Sequence, residues 1–184
     1  MKFYKMNIAG LDRELPLCPL TDDLYIAGFV MFGDVEITER CAEELLGRAP
    51  EFDVIVTAES KGIPLAYEMA RQSRKPYVVL RKEPKLYMVD TITADVKSIT
   101  TAHPQVLCIG SLEAEVIRGK KILVVDDVVS TGGSLIAIEE LVEKCQGDIV
   151  ARMTVLAEGD ATKRDDLIYL EKLYLFTPEG EPIK

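Results

Sequence analysis

The sequence has no tryptophan, a single histidine, His103, and only four cysteines, which are widely separated. Without a CxxC pair or a Cys/His cluster, neither a structural zinc site nor a disulfide framework is predicted. The cysteines are expected instead as small hydrophobic residues in a reducing compartment, at Cys18, Cys41, Cys108 and Cys145.

Long apolar runs and basic residues are also scarce. No run approaches the ~20 residues of a membrane helix and no signal peptide is recognised, so we expect a cytoplasmic protein with no membrane partner. The 22 Lys and Arg against 31 Asp and Glu give a net charge of −9, which disfavours nucleic acid as a partner. A protein this acidic must build any anion site locally, from Lys, Arg and backbone N–H groups.

What the chain does have is a repeated strand–helix–strand rhythm. With 184 residues, of which 48% are hydrophobic, it is expected to form one domain, residues 1–184. Because strands that alternate with helices form parallel sheets, we predict an α/β fold with a parallel twisted sheet flanked by helices. The predicted strands are 52–62, 75–82, 120–127 and 148–159, and the helices between them are 63–73 and 133–145.

The remaining segments interrupt this rhythm. Residues 6–11 and 24–34 resemble strands separated by a turn, and residues 1–33 are expected to form a small hood or an N-terminal extension. Asp34 is a predicted N-cap for a helix ending near Gly47. Residues 85–110 are predicted as a β-hairpin or mobile flap, and the chain is expected to finish with a short helix, 161–171, and a strand, 172–176.

The most informative stretch is "ILVVDDVVSTGGS", in which a buried strand leads into two carboxylates and a small-residue turn. Ligands of open parallel sheets bind beyond the carboxyl ends of the strands, where Asp126 and Asp127 are expected. The following loop offers hydroxyls, glycines and the N–H groups of a helix start, at Ser130, Thr131, Gly132, Gly133 and Ser134. This pattern combines acceptors for sugar hydroxyls with donors for a phosphate.

The same stretch resembles the signature of the type I phosphoribosyltransferase family, and the looser resemblance extends from about Asp34 to Phe176. The resemblance implies that 5-phosphoribosyl-1-pyrophosphate is a substrate, with its 5′-phosphate on Ser130 to Ser134 and its ribose hydroxyls on Asp126 and Asp127. Mg²⁺ is implied as a cofactor carried mainly by the pyrophosphate, without direct metal ligands in the protein. A homodimer is implied as well.

A second loop of that family matches "ESKG", where the resemblance assigns Ser60, Lys61 and Gly62 to pyrophosphate. Relatives specific for adenine often have arginine at the position of Lys61. The lysine keeps the positive charge of that arginine but lacks its bidentate fork. The resemblance also implies a cis peptide bond before Lys61. The cations of "RKEPK" resemble a further pyrophosphate contact, at Arg81, Lys82 and Lys85.

The base is less well defined by the sequence. Ser130 stands where 6-oxopurine enzymes commonly have an aspartate, and Gly159 stands where xanthine relatives tend to have a lysine, so the resemblance favours adenine. Xanthine or another base, or a regulator that binds the donor without chemistry, stay as alternatives. The flap lacks the glutamate typical of adenine enzymes, which leaves His103 as a substitute acid or base. Candidate walls of the base pocket are Leu156, Phe29 and Phe32.

Overall fold

A computed structural model describes residues 2–96 and 105–183. In chain order its elements are β1 (Phe3–Ile8), β2 (Leu11–Pro19), β3 (Tyr25–Ala27), α1 (Val35–Arg48), β4 (Val54–Ala58), α2 (Ile63–Ser73), β5 (Tyr77–Leu80), β6 (Ile92–Val96), β7 (Gln105–Ile109), α3 (Ser111–Ile117), β8 (Lys121–Val129), α4 (Gly133–Lys144), β9 (Asp148–Glu158), β10 (Leu167–Leu173), β11 (Leu175–Phe176) and β12 (Pro182–Ile183). Within the described ranges, no helix is both long and apolar enough to cross a bilayer.

The central sheet has the order β10–β9–β8–β4–β5, and each neighbouring pair is parallel. Strands β4 and β8 lie in its middle and consist largely of buried β-branched residues, as expected for strands covered on both faces. The predicted parallel sheet is therefore confirmed. Its carboxyl edge collects the ends of β4, β5, β8 and β9, which is where the candidate site lies.

Two hydrophobic cores cover the two faces of this sheet. One core packs α1 and α2 with the N-terminal strands against the sheet, around Leu45, Leu65 and Phe176. The other packs α3, α4 and the β6–β7 hairpin against the opposite face, around Ile117, Leu141 and Ile109. Helix α1 begins as predicted, because the carboxylate of Asp34 accepts a hydrogen bond from the Ile37 N–H at 3.1 Å.

A second, antiparallel sheet has the order β1–β2–β3–β11–β12. We call this sheet, residues 3–27 with 175–183, the hood. It includes the N-terminal residues for which a hood was predicted, and it also recruits the end of the chain. Arg13 of β2 links the hood to α1 through an ion pair of 2.7 Å with Asp34.

Several local predictions were wrong. Residues 161–171 are not a helix, since a 3₁₀ turn, Gly159–Lys163, is followed directly by strand β10. The predicted last strand, 172–176, is divided between β10 of the central sheet and β11 of the hood. Strand β2 and helix α3 were not predicted, and within 24–34 only Tyr25–Ala27 is a strand.

The predicted hairpin within 85–110 is present in its described parts. Strands β6 and β7 pair antiparallel, from Ile92 opposite Ile109 to Val96 opposite Gln105. The base of the hairpin is tied to α4 by Lys144, whose Nζ donates to the Thr93 carbonyl at 2.7 Å. Residues 97–104, with His103, lie outside the described residues, and the mobility of the flap stays a prediction.

Candidate active site

The carboxylate pair lies near the carboxyl end of β8, and the strand continues to Val129 before the loop begins. Side chains alternate along a strand, so Asp126 and Asp127 point to opposite sides of the sheet edge. As whole residues, Asp126 is half-buried and Asp127 is 2% exposed. Strand β9 fixes this register by pairing Asp126 with Thr154 and Val128 with Leu156.

Asp127 is a buried carboxylate with an incomplete set of partners. Its Oδ2 lies 3.0 Å from Nζ of Lys61. The contact lacks hydrogen-bond geometry, so Oδ2 has no hydrogen bond among the described residues. A buried acceptor without a hydrogen bond is costly, and it is well placed to receive a hydroxyl or a cation from a ligand.

The surroundings of Asp126 disfavour the charged form of its carboxyl group. Burial of the carboxyl raises its pKa above the ordinary value, and the neighbouring charge of Asp127 raises it further. Its Oδ1 accepts a hydrogen bond from the Asp127 N–H at 2.9 Å. Two carboxylates held together in this way bind cations and hydroxyl donors better than either would alone, because a ligand relieves their repulsion.

The loop after β8, for which the sequence predicts an anion site, leads into the start of α4. Gly132 has a φ of 76° and is the N-cap of α4. No side chain accepts a hydrogen bond from the free N–H groups at this helix start. The side chains of Ser130, Thr131 and Ser134 are exposed around it. We call Ser130–Ser134 the phosphate loop, because N–H donors and the positive end of the helix dipole converge there.

The second loop, Glu59–Gly62, follows β4 and lies beside the carboxylates. Its cis peptide bond joins Glu59 to Ser60. The resemblance implied a cis bond directly before Lys61, between Ser60 and Lys61, so the predicted position was wrong by one residue. A Cβ on Gly62 would lie 2.4 Å from Thr57 Oγ1 and 2.9 Å from Asp126 Oδ1, so only glycine fits between them. We call this segment the pyrophosphate loop.

The cations assigned to pyrophosphate are engaged with carboxylates. Nη2 of Arg81 lies 3.4 Å from Glu59, and its buried Nε has no hydrogen bond among the described residues. Nζ of Lys85 lies 2.5 Å from Glu83. Lys82 lies closest to the site, where its backbone N–H donates to Glu59 at 3.0 Å. Glu59 was not predicted, because its pairing with Arg81 spans two strands.

A cavity of about 200 Å³ joins the two loops to the carboxylates. The structure brings Ser60, Lys61, Lys82, Asp126, Asp127 and Ser134 together around it. The other residues predicted for the two anion loops and the cation cluster do not line it: Gly62, Arg81, Lys85, Ser130, Thr131, Gly132 and Gly133. Sequence reasoning missed Ala58, Glu59, Val106, Leu107 and Val128 in its wall; of these, only Val128 stands next to the acidic pair in sequence, where it could have been found.

The predicted walls of the base pocket are divided. Phe29 and Leu156 are buried, at 4% and 0% exposure, in the core beneath the hood. Phe32 is 52% exposed. Glu158, at the end of β9, is a half-buried carboxyl that was not predicted; burial raises its pKa, and the charge of Lys61 opposes that shift. Whether these side chains meet a base stays a prediction.

The donor set around the carboxylates is small for a metal ion held by protein alone. Within residues 2–96 and 105–183, no group of three or more His, Cys, Asp or Glu side chains could hold a metal. Asp126 and Asp127 provide oxygen ligands of the kind that Mg²⁺ prefers, and Oδ2 of Asp127 lacks a hydrogen bond. The residues therefore fit a magnesium ion that receives most of its ligands from a substrate and water.

Comparison with known proteins gives a consistent family. A model of the phosphoribosyl transferase domain matches residues 35–173. The hypoxanthine/guanine phosphoribosyltransferase of Methanococcus voltae is 36% identical over 112 residues, 61% of this chain and 56% of that protein. The adenine phosphoribosyltransferase of Kosmotoga olearia is 30% identical over 154 residues, 78% of this chain and 83% of that protein.

Solved structures agree on the fold. The adenine phosphoribosyltransferase of Thermoanaerobacter pseudethanolicus superimposes with a TM-score of 0.72 at 20% identity, covering 86% of this chain and 95% of that one. The Saccharomyces cerevisiae enzyme, complexed with adenine and an imino-alditol bisphosphate, gives 0.69 at 22% identity, covering 85% and 93%. At these identities the structures support the fold and not a substrate.

Proposed function

This chain belongs to the phosphoribosyltransferase family, and from that premise we propose that it is a magnesium-dependent purine phosphoribosyltransferase of purine salvage in the cytoplasm. The reaction joins the phosphoribosyl group of 5-phosphoribosyl-1-pyrophosphate to a nucleobase, giving a nucleoside monophosphate and pyrophosphate. One observation carries this proposal: the loop after β4, through Glu59, Ser60 and Lys61, and the first turn of α4, through Ser134, reach the same cavity as the carboxylate pair.

The donor fits these parts in one direction. Its 5′-phosphate would accept hydrogen bonds from the backbone N–H groups at the start of α4, which no side chain caps. The ribose hydroxyls would donate to Asp126 and Asp127, which gives Oδ2 of Asp127 the hydrogen bond that it lacks. The pyrophosphate would then lie along Ser60, Lys61 and Gly62, with Lys82 and, after rearrangement, Arg81 and Lys85 at its far end.

Catalysis in this arrangement would come from position and charge. A ring nitrogen of the base attacks the anomeric carbon as the bond to pyrophosphate breaks, and positive charge develops on the ribose ring. The buried carboxylates beside the ring stabilise that charge, while Lys61 and the loop N–H groups hold the leaving oxygens. Mg²⁺ bound to the pyrophosphate would neutralise the charge of this leaving group.

Adenine is the base that we favour. The position three residues after the acidic pair is Ser130, and Gly159 follows Glu158, so neither the aspartate of 6-oxopurine enzymes nor the lysine of xanthine relatives is present. A half-buried carboxyl with a raised pKa, Glu158, would accept a hydrogen bond from an amino group or donate one when protonated. Phe32 provides an exposed ring for a base to stack on.

Hypoxanthine or guanine is the second candidate. It is favoured by the names of the relatives, since the proteins of Methanococcus voltae and Methanothermobacter thermautotrophicus are both hypoxanthine/guanine phosphoribosyltransferases. The chain covers 56% and 69% of the lengths of these two relatives, so their base specificity transfers only as a hypothesis.

The test is to incubate the purified protein with donor and Mg²⁺ and offer adenine, hypoxanthine, guanine, xanthine and orotate separately. We expect pyrophosphate release and nucleotide formation fastest with adenine. Faster reaction with hypoxanthine or guanine would replace the adenine assignment by the second candidate. If the protein bound the donor tightly but released no pyrophosphate with any of these bases, the result would favour the alternative of a regulator that binds the donor without chemistry.

We also propose a homodimer. Tyr67 and Tyr77 pack edge to face at 6.3 Å, and both are exposed. Tyr87 lines the same surface depression as Tyr77, and Leu86 and Val89, close to Tyr87 in sequence, are also exposed, so we place the dimer contact on these side chains. Light scattering after gel filtration is expected to give twice the 20.5 kDa chain mass, and Leu86→Glu is expected to halve it.

A further inference from the structure

Arg164 lies against the phosphate loop from a distant part of the sequence. A Cβ placed on Gly132 would lie 3.3 Å from Nη1 of Arg164, closer than ordinary van der Waals contact. Arg164 follows the 3₁₀ turn after β9, while Gly132 caps α4. The fold therefore places a guanidinium beside the glycine that shapes the loop.

The orientation of this guanidinium is fixed from its other edge. Nε and Nη2 of Arg164 donate to the two carboxylate oxygens of Asp166, at 2.9 and 2.7 Å. This fork occupies one edge of the planar group and turns the other toward Gly132. Within the described part of the chain, Nη1 makes no hydrogen bond, so its N–H groups are available.

The charge of Arg164 belongs to a balanced cluster of four side chains. Glu139 of α4 lies 3.9 Å from Arg164 and 2.5 Å from Arg152, and Asp166 lies 3.6 Å from Arg152. Two cations and two carboxylates leave the cluster neutral. Without Arg164 the cluster would carry a net negative charge beside a loop whose ligand is an anion.

We propose that Arg164 is a phosphate-recognition residue, whose cation makes the phosphate loop selective for the 5′-phosphate end of the donor. This inference rests on the proposed function and deepens it by adding a residue to one of its subsites. Lys61, Lys82 and Asp127 line the cavity beside the carboxylate pair and Arg164 does not, so the effect of Arg164 is expected at the 5′-phosphate alone.

The experiment measures binding of ribose 5-phosphate and of pyrophosphate to the full chain by calorimetry. Arg164→Gln is expected to weaken ribose 5-phosphate binding about tenfold, as for loss of a charged partner. Its pyrophosphate affinity is expected to stay within about twofold of the unaltered protein, since that end of the site lies elsewhere.

Two further variants separate charge from structure. Arg152→Gln alters the same cluster away from the loop and is expected to change ribose 5-phosphate binding by less than about twofold. Arg164→Lys keeps the charge without the fork and is expected to recover part of the loss. The salt dependence of ribose 5-phosphate binding is expected to be shallower in Arg164→Gln.

The outcomes are distinct. Equal weakening of both ligands in Arg164→Gln, or equal effects of the Arg152 and Arg164 variants, would overturn the inference by making the cluster structural. Unchanged ribose 5-phosphate binding in a variant that melts normally would overturn it while leaving the proposed function intact. If the unaltered protein bound neither ribose 5-phosphate nor the complete donor, the proposed function itself would fail.

Discussion

The two loops that flank the carboxylate pair offer different groups to an anion. The phosphate loop presents backbone N–H groups at the start of a helix, and no side chain caps them. The pyrophosphate loop and its neighbours use cations, and those cations are paired with carboxylates: Lys61 with Asp127, and Arg81 with Glu59. In the proposed function, one end of the donor would therefore meet a site that is already formed, whereas the other end would have to exchange existing ion pairs.

The largest effect on donor binding is expected at Asp127, which lies between the two loops. Asp127→Asn is expected to weaken donor binding about a hundredfold, because a buried charged acceptor is lost from the ribose subsite. The fold is expected to persist, since asparagine has the same shape and removes a costly buried charge. Calorimetry with donor and Mg²⁺, together with a thermal melt, checks both statements. A collapsed melt would make Asp127 a structural residue.

The second prediction contrasts the glycines of the two loops. Gly62→Ala is expected to destabilise the protein by about 2–3 kcal/mol, because its Cβ would press on Thr57 and Asp126. Gly132→Ala is expected to cost about 1–2 kcal/mol, since the strain at its φ of 76° is conformational. Denaturant unfolding measures both.

A matched control for these variants is available in α1. Gly47 is helical and has open space around its Cβ position. Gly47→Ala is expected to stabilise the protein by about 0.5–1 kcal/mol. If Gly132→Ala lowered the free energy of unfolding more than Gly62→Ala did, crowding at Gly62 would not be the larger effect, and this assignment would be contradicted.

The third prediction compares a side chain from each loop. Lys61→Gln is expected to weaken pyrophosphate binding about tenfold, because a cation is lost. Ser130→Ala is expected to weaken ribose 5-phosphate binding less than about threefold, because backbone donors supply most of the contacts there. Equal effects at the two loops would show that both depend on side chains.

The last prediction concerns stability as a function of pH. The pKa of Asp126 is raised in the folded protein by burial and by Asp127, so the folded state holds this proton more tightly than the unfolded chain does. Its contribution to the free energy of unfolding therefore falls as pH rises from the ordinary value of 3.8 through the raised folded pKa, by at most about 1.4 kcal/mol per pH unit.

Comparison with Asp126→Asn isolates this contribution. The stability advantage of the variant over the unaltered protein is expected to grow between about pH 5 and 8. Asp53→Asn is the control, because the Lys121 N–H lowers the pKa of the Asp53 carboxyl by a backbone hydrogen bond. The contribution of Asp53 is lost only as pH falls below the ordinary value of 3.8, so the effect of this variant is expected to stay constant between about pH 5 and 8. A constant advantage across this range would contradict the raised pKa of Asp126.

The parts of the site that the sequence predicted are those that lie close together along the chain. Asp126 to Ser134 form one strand end and one helix start, and the apolar run before them predicts the strand. Ser60 to Gly62 follow another strand of the same kind. In a parallel sheet, these ends meet at one edge whatever the rest of the chain does.

The parts that could not be predicted depend on contacts between distant residues. Glu59 meets Arg81, and Arg164 meets Gly132, only after the strands have assembled. The run from Leu167 to Leu170 suits a helix or a strand, and pairing with β9 decides for the strand. The cis peptide bond and the division of residues 172–176 between two sheets likewise have no local sequence signal.

The hood is closed by strands from both ends of the described chain. Strand β3 pairs with β2 on one side and with β11 on the other, and Lys2 reaches the Pro178 carbonyl at 2.8 Å. During synthesis, the N-terminal strands must therefore wait for Phe176 before their sheet is complete. The same proximity makes the protein suitable for circular permutation: a short glycine-rich connection between the two ends would leave the hood intact while new ends are opened on another exposed loop.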